Sequence, residues 1–149
     1  MNMRVFIVAT ALVVMAACDK HEFHPPDRGA QAAGADSLLT AATFDTIRFA
    51  SDSARSFEGN NVYAARCRDC HGFRGEGNTA YTREHNLNPP SLVREAWPYA
   101  DIAILRNRIF TGHGNMPTWG VAGITPREID AVAFYVGEVL RKEAATPRR

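Results

Sequence analysis

"RCRDCHGFRG", residues 66–75, sets Cys67 and Cys70 three positions apart and puts His71 directly after the second. The chain has 3 cysteines in 149 residues, so two in one short stretch call for a shared purpose. A close pair of thiols either forms a disulfide, holds a metal, works as a redox dithiol, or is bonded to something brought from outside. The third cysteine and the helices around the pair decide among these.

The third cysteine ends the leader "MNMRVFIVATALVVMAACDK". Arg4 gives a short positive start, an apolar run covers residues 5–17, and small residues precede Cys18. This is the layout of a secretory signal. The 13-residue run is too short to be a spanning helix, which needs roughly 20 residues. "VMAAC" resembles the lipobox of bacterial lipoproteins, in which the cysteine is acylated; the departure is Met15, where that family most often has leucine. A plain cleaved signal is the alternative. The expectation is a signal peptide over residues 1–17 and a lipid on Cys18, with the exported protein anchored to the cell membrane and facing the periplasm or the outside. One lipid on Cys18 and a shared ligand on Cys67 and Cys70 would account for every thiol.

Residues 19–36, with Pro-Pro, two glycines and several alanines, read as a linker. His21 and His24 lie in it and read as solvated, since no second ligand pair is near. Residues 37–49 have no clean period and cannot be placed from the sequence. A compact domain is expected over residues 51–143, after a lipidated and flexible stretch at 18–50 and before a tail at 144–149. Net charge is +1, so no overall field argues for nucleic acid or an acidic substrate.

Three helices are legible. "SDSARSFEGNNVYAARC" has Ser/Asp capping candidates and runs into Cys67, with Gly59 and Tyr63 four apart on one face. Gly59 either allows a close approach or breaks the helix beside Asn60 and Asn61. "YADIAILRNRIFTG" carries a stripe of Ile102, Leu105 and Ile109 with Gly112 as the terminating residue. "ITPREIDAVAFYVGEVLRK" opens with Thr125 as N-cap, Pro126 at the first helical position and Glu128 completing a capping box. Ile124 and Ile129 can form a staple across that cap, and Ile129, Val132, Val136 and Leu140 form the buried stripe. No alternating strand is visible, so the fold class is all-α.

In that setting the options for Cys67 and Cys70 separate. A structural zinc site takes four ligands in two pairs, and the domain has no second pair. A thioredoxin-like dithiol belongs in a βαβ unit. A disulfide leaves His71 without a role. C-x-x-C-H in an exported helical domain reads as covalent c-type haem attachment: both thiols hold the haem, and His71 is delivered beneath the iron. A sixth ligand is then sought on the other face. "GHGNMPTWG" offers Met116, fixed by Pro117 and flanked by small residues. Thioether ligation favours reduced iron and raises the potential. His85 and His113 are rivals, and Met116 could instead fill a gap in the core.

Residues 51–141 as a whole resemble a class I cytochrome c. The matching features are Gly59 and Tyr63, then Cys67, Cys70 and His71, then "HGFRGEGN", "NPPSL" and "NMPTWG", and finally the aromatic pair Phe134 and Tyr135. The resemblance implies a cytochrome c fold wrapped around one covalent haem c, with the first and last helices crossing at a glycine and an aromatic. It implies that a proline carbonyl, Pro89 or Pro90 here, accepts a hydrogen bond from Nδ1 of His71.

The expected function is one-electron transfer by a membrane-tethered monohaem carrier, with redox proteins as partners, no small-molecule substrate and no enzymatic activity of its own. The alternatives are a haem subunit of a larger oxidoreductase complex, and a haem enzyme or ligand sensor with a displaceable sixth ligand. Arg68, Arg74, Arg106 and Arg108 are candidates for a docking surface, unless they are simply scattered surface charges.

Overall fold

The computed structural model describes residues 43–94 and 101–145. The leader, Cys18 and the linker fall outside the described residues, as do residues 146–149. Helix α1 spans Asp52–Arg66, α2 Arg68–His71, α3 Ala80–Glu84, α4 Ile102–Thr111 and α5 Pro126–Phe134; a π-helical segment, Tyr135–Leu140, then leads into α6, Arg141–Ala145. Among the described residues there is no strand, only an isolated antiparallel bridge between His113 and Met116. The chain is all-α.

The caps follow from the residue types. Ser51 accepts the Ala54 N–H at 3.1 Å, Asp52 lies in the first turn of α1 and Arg66 in its last, all suited to the helix dipole. Asp101 caps α4 by accepting the Ala103 N–H at 2.7 Å, and Gly112 ends it. Thr125 and Glu128 form the expected capping box, with the Thr125 N–H donating to Glu128 Oε2 at 2.8 Å and Pro126 inside the first turn. Ile124 and Ile129 are both buried on either side of that cap. Helix α3 was not legible in the sequence. Its capping box pairs Thr79 with Thr82 instead of with a carboxylate.

Helices α1 and α5 cross face to face, and Gly59 sits at the crossing. A Cβ there would strike the carbonyl oxygen of Ala131 and lie 2.7 Å from both its carbonyl carbon and Tyr135 Cβ. Backbone cannot yield as a flexible side chain does, so Gly59→Ala is expected to lose more through overpacking, about 1–3 kcal/mol, than the ~1 kcal/mol it gains in helix propensity. Urea denaturation at constant m-value checks this. The core below the crossing joins Val62 and Tyr63 to Leu105, Ile109 and Phe110 and to Ile129, Val132, Val136 and Leu140.

From Val132 through Val136 to Leu140 the buried stripe repeats every four residues, which overshoots a turn of 3.6. The π segment winds more widely and offsets the overshoot, so Val136 and Leu140 stay buried where a straight α-helix would drift them off the core. The sequence reading of one continuous helix through Lys142 therefore changes locally. The break costs the core nothing.

Asp130 is 2% exposed and lies between two guanidiniums. Arg55 from α1 meets its carboxylate at 2.7 Å, and Arg106 from α4 pairs with it as well. Arg55 also lies over the ring of Phe134 at 4.4 Å, and Arg106 over Phe44 at 5.0 Å. One carboxylate thus ties three helices together. Removing one member of a buried ion pair leaves the other charge uncompensated, at a cost of about 3–5 kcal/mol. Asp130→Ala is expected to fall in that range, read as a drop in the denaturation midpoint. Arg106 is consequently committed to the interior and is not part of a docking face; Arg68 and Arg74 are exposed.

The described part of the lead-in packs onto the helices. Phe44 adds to the core cluster, and Phe49 lies beneath Arg127 at 4.0 Å. Arg127 donates to the Arg48 carbonyl at 2.6 Å and pairs with Glu58 at 2.9 Å.

Candidate functional site

Cys67 ends α1 and begins the next turn. Its N–H donates to the Tyr63 carbonyl at 2.9 Å, and its own carbonyl accepts the His71 N–H at 2.8 Å. Cys67, Cys70 and His71 therefore share one helical turn. The two thiols are free and half-buried, not joined in a disulfide. Burial pushes the Cys67 thiol up to about 12, with the neighbouring Cys70 adding to the shift. Cys70 is raised as well, by burial first and then by Asp69. Both sulfurs are thus held as neutral thiols, unlike the low-pKa thiolate of a redox dithiol. Among the described residues no three His, Cys, Asp or Glu side chains gather as a metal cage, so the zinc alternative finds no ligand set there.

After His71 the chain makes a glycine-rich loop that brings the proline segment back over the histidine. The Gly77 N–H donates to the His71 carbonyl at 2.8 Å, and the Leu92 N–H to the Gly75 carbonyl at 2.7 Å. Gly77 lies so close to this segment that a Cβ would be 2.7 Å from the Pro89 oxygen and 3.3 Å from that of Pro90. Nδ1 of His71 is buried and closes no hydrogen bond of full geometry. Burial lowers the pKa of the imidazole, and the Pro90 carbonyl, acting on the ring from nearby, partly opposes that. Of the two candidate prolines, Pro90 is the one whose carbonyl bears on His71.

The three candidates for the opposite face differ in setting. His85 is exposed, stacked on Tyr81 at 4.1 Å, with its Nδ1 3.0 Å from the Tyr81 carbonyl. His113 is also exposed; its carbonyl accepts the Met116 N–H at 2.9 Å in a tight turn. Met116 is half-buried and packs against the core cluster, as Cys67 does. Gly112 lets this loop close, with the Met116 and Pro117 carbonyls each 2.7 Å from where a Cβ would stand.

Tyr63 was noticed in the sequence for its ring, but its hydroxyl was not read. It is 2% exposed and donates to the Gly72 carbonyl at 2.7 Å, while its ring packs on Tyr135 at 5.6 Å between centroids. Burial, with smaller contributions from Cys67 and Glu76, raises its pKa well above the ordinary range, so the phenol stays protonated as a donor. A groove of about 740 Å³ lies elsewhere. Phe57, Asn60, Tyr135 and Glu138 line it, and it gathers no cysteine, histidine or methionine.

Residues 55–136 match the family described as cytochrome c oxidase, cbb3-type, subunit III. The chain is similar to the cbb3-type cytochrome c oxidase subunit FixP of Azorhizobium caulinodans, 33% identical over 87 residues, which cover 57% of this chain and 27% of that protein. It is equally similar to the subunit CcoP of Cereibacter sphaeroides, 33% identical over 87 residues, with 57% and 28% covered. The chain thus spans about a quarter of the length of the curated relatives it matches. No solved structure matches it. A domain of this family carries haem c, with its iron, bound covalently. Two free thiols on one turn, beside an imidazole whose buried Nδ1 closes no hydrogen bond of full geometry, fit that group. Over the greater part of its length, from the first helix through the cysteine–histidine turn to the last, this chain belongs to the cytochrome c oxidase, cbb3-type, subunit III family.

Proposed function

We propose that the protein is a haem-bearing electron-transfer subunit of a membrane-bound oxidase complex. The observation that carries this reading is the match to two oxidase subunits over 87 residues. It moves the subunit reading ahead of the free carrier that the sequence alone favoured. When bound, the haem iron supplies one-electron chemistry by passing between its ferric and ferrous states.

In this reading Cys67 and Cys70 would hold the haem covalently through their sulfurs, and His71 and Met116 would be the iron ligands. The Pro90 carbonyl would orient the His71 ring and raise its basicity. The half-buried Met116 sulfur, packed against the core, would keep water and small ligands from the opposite face and favour the reduced state. No proton is moved and no substrate is transformed. The protein's part is to set the potential and offer a docking surface to which Arg68 and Arg74 are available. Export and a lipid on Cys18 complete the proposal and would keep the domain beside its partner at high effective concentration.

Purification of the tagged full chain from detergent-solubilised membranes tests it. Large membrane subunits with oxidase activity should accompany the chain in fixed proportion, and mass analysis of the mature N-terminus should find an acylated Cys18. A pigment that purifies alone, and exchanges electrons without membrane subunits, would restore the free carrier.

A further inference from the structure

Tyr63 touches both ends of the cysteine–histidine turn. Its carbonyl accepts the Cys67 N–H at 2.9 Å where the turn begins, and its hydroxyl donates to the Gly72 carbonyl at 2.7 Å directly after the turn ends. The hydroxyl bond is buried and spans nine positions. The other donor to that carbonyl is the Gly75 N–H, at a longer 3.3 Å. Tyr63 itself is held from behind by the Tyr135 ring, beside the helix crossing at Gly59. The crossing of α1 and α5 is therefore connected through one rigid aromatic to the second peptide after His71.

The packing of an aromatic at this position needs no hydroxyl, since phenylalanine would fill the same space. The hydroxyl adds a direction. It fixes where the Gly72 carbonyl points, and so the peptide plane joining Gly72 to Phe73 at the start of the loop. The Gly77 N–H fixes the neighbouring His71 carbonyl at 2.8 Å. The two successive peptides that leave His71 are thus pinned, the first by a loop amide and the second by a phenol. A buried carbonyl that loses its stronger donor turns toward another. Here that means rotation of the Gly72–Phe73 peptide, which opens the loop whose Gly77 N–H holds the His71 carbonyl.

We infer that the Tyr63 hydroxyl is a positioning group for His71, setting the orientation of the imidazole through the Gly72 carbonyl. The inference rests on the reading of His71 as an axial ligand. The test uses the full chain matured with its haem, as wild type, Tyr63→Phe and Tyr135→Phe, the last removing a hydroxyl from the same aromatic pair without touching the turn. Three quantities are read: thermal midpoint, reduction potential, and the paramagnetically shifted NMR resonances of the His71 ring in the ferric protein. Tyr63→Phe is expected to displace the ring resonances and the potential, with a midpoint lower by about 4–8 °C. Tyr135→Phe should leave resonances and potential at wild-type values. Absence of any paramagnetic shift on His71 in the wild type would overturn the ligand reading itself. Shifted resonances that stay in place in Tyr63→Phe would overturn the positioning role alone. If Tyr63→Phe does not accumulate, 3-fluorotyrosine introduced at position 63 keeps ring and hydroxyl while strengthening the donor. Displaced His71 resonances then support the role, and unmoved ones overturn it.

Discussion

Cys67→Ala combined with Cys70→Ala is expected to give a chain without pigment and with little folded domain. The thiols are the covalent hold on the haem in the proposed site, and the protein-only core is small. It consists of 12 buried residues from α1, α4, α5, the π segment and two loops. A domain of under 100 residues buries only about 60–65% of its unfolded surface, and its net stability is on the order of 5–10 kcal/mol. Loss of a large apolar plate from the core would remove most or all of that. Circular dichroism should show the helical signal of the double variant much reduced at 25 °C. The wild type, denatured and extracted with acid and organic solvent, should keep the mass of one haem. Pigment that extracts cleanly from the wild type would defeat the attachment at these two residues.

Met116→Ala should leave the haem attached and the fold standing while changing the iron. The far-red band that sulfur ligation gives the ferric protein should vanish, the potential should fall, and CO and cyanide should bind where they did not before. Loss of the side chain from a partly buried site costs about 2–3 kcal/mol, at the low end for a methionine, which the domain can bear with the haem in place. Met116→His should restore six ligands at a lower potential, because imidazole favours oxidised iron more than thioether does. An unchanged spectrum in Met116→Ala would transfer the role to another side chain. His113, three residues away and exposed, would be the first to test.

How far the sequence could be read depended on how local each signal was. The motif at Cys67, Cys70 and His71 is five consecutive residues, which the structure places on one helical turn, and the box at Thr125 and Glu128 is four and forms as read. The stripe of α5 was also legible, because burial repeats along a helix. The ion cluster was not. Asp130 follows Ile129 in a helix rich in charges, and alone it looks like a residue of the wet face. Its partners Arg55 and Arg106 come from other helices, and only the packed structure brings them to it. Tyr63 was half legible. Its ring fitted a helix face, but the Gly72 acceptor lies beyond the end of that helix, across a turn whose path no periodicity reveals. The π segment escaped for a related reason: a spacing of four is tolerated by an α-helix, and the choice to unwind is made by the core.

The crossing of α1 with α5 also sets an order of assembly. Glu58 and Arg127 are 69 positions apart, and Arg48 and Arg127 are 79 apart. Contacts this remote in sequence form late, since chain entropy must be lost before they give anything back. Until residues 126–134 dock, α1 is a lone helix of 15 residues, near the shortest length that holds together in water. During that interval the turn that begins at Cys67 lacks the packed core against which Cys67 rests in the folded domain. Arrival of the last helix sets Ala131 against Gly59 and Tyr135 against Tyr63, and completes the core on which Cys67 packs. Any chemistry on the two thiols has its widest opening before the C-terminal helix comes home.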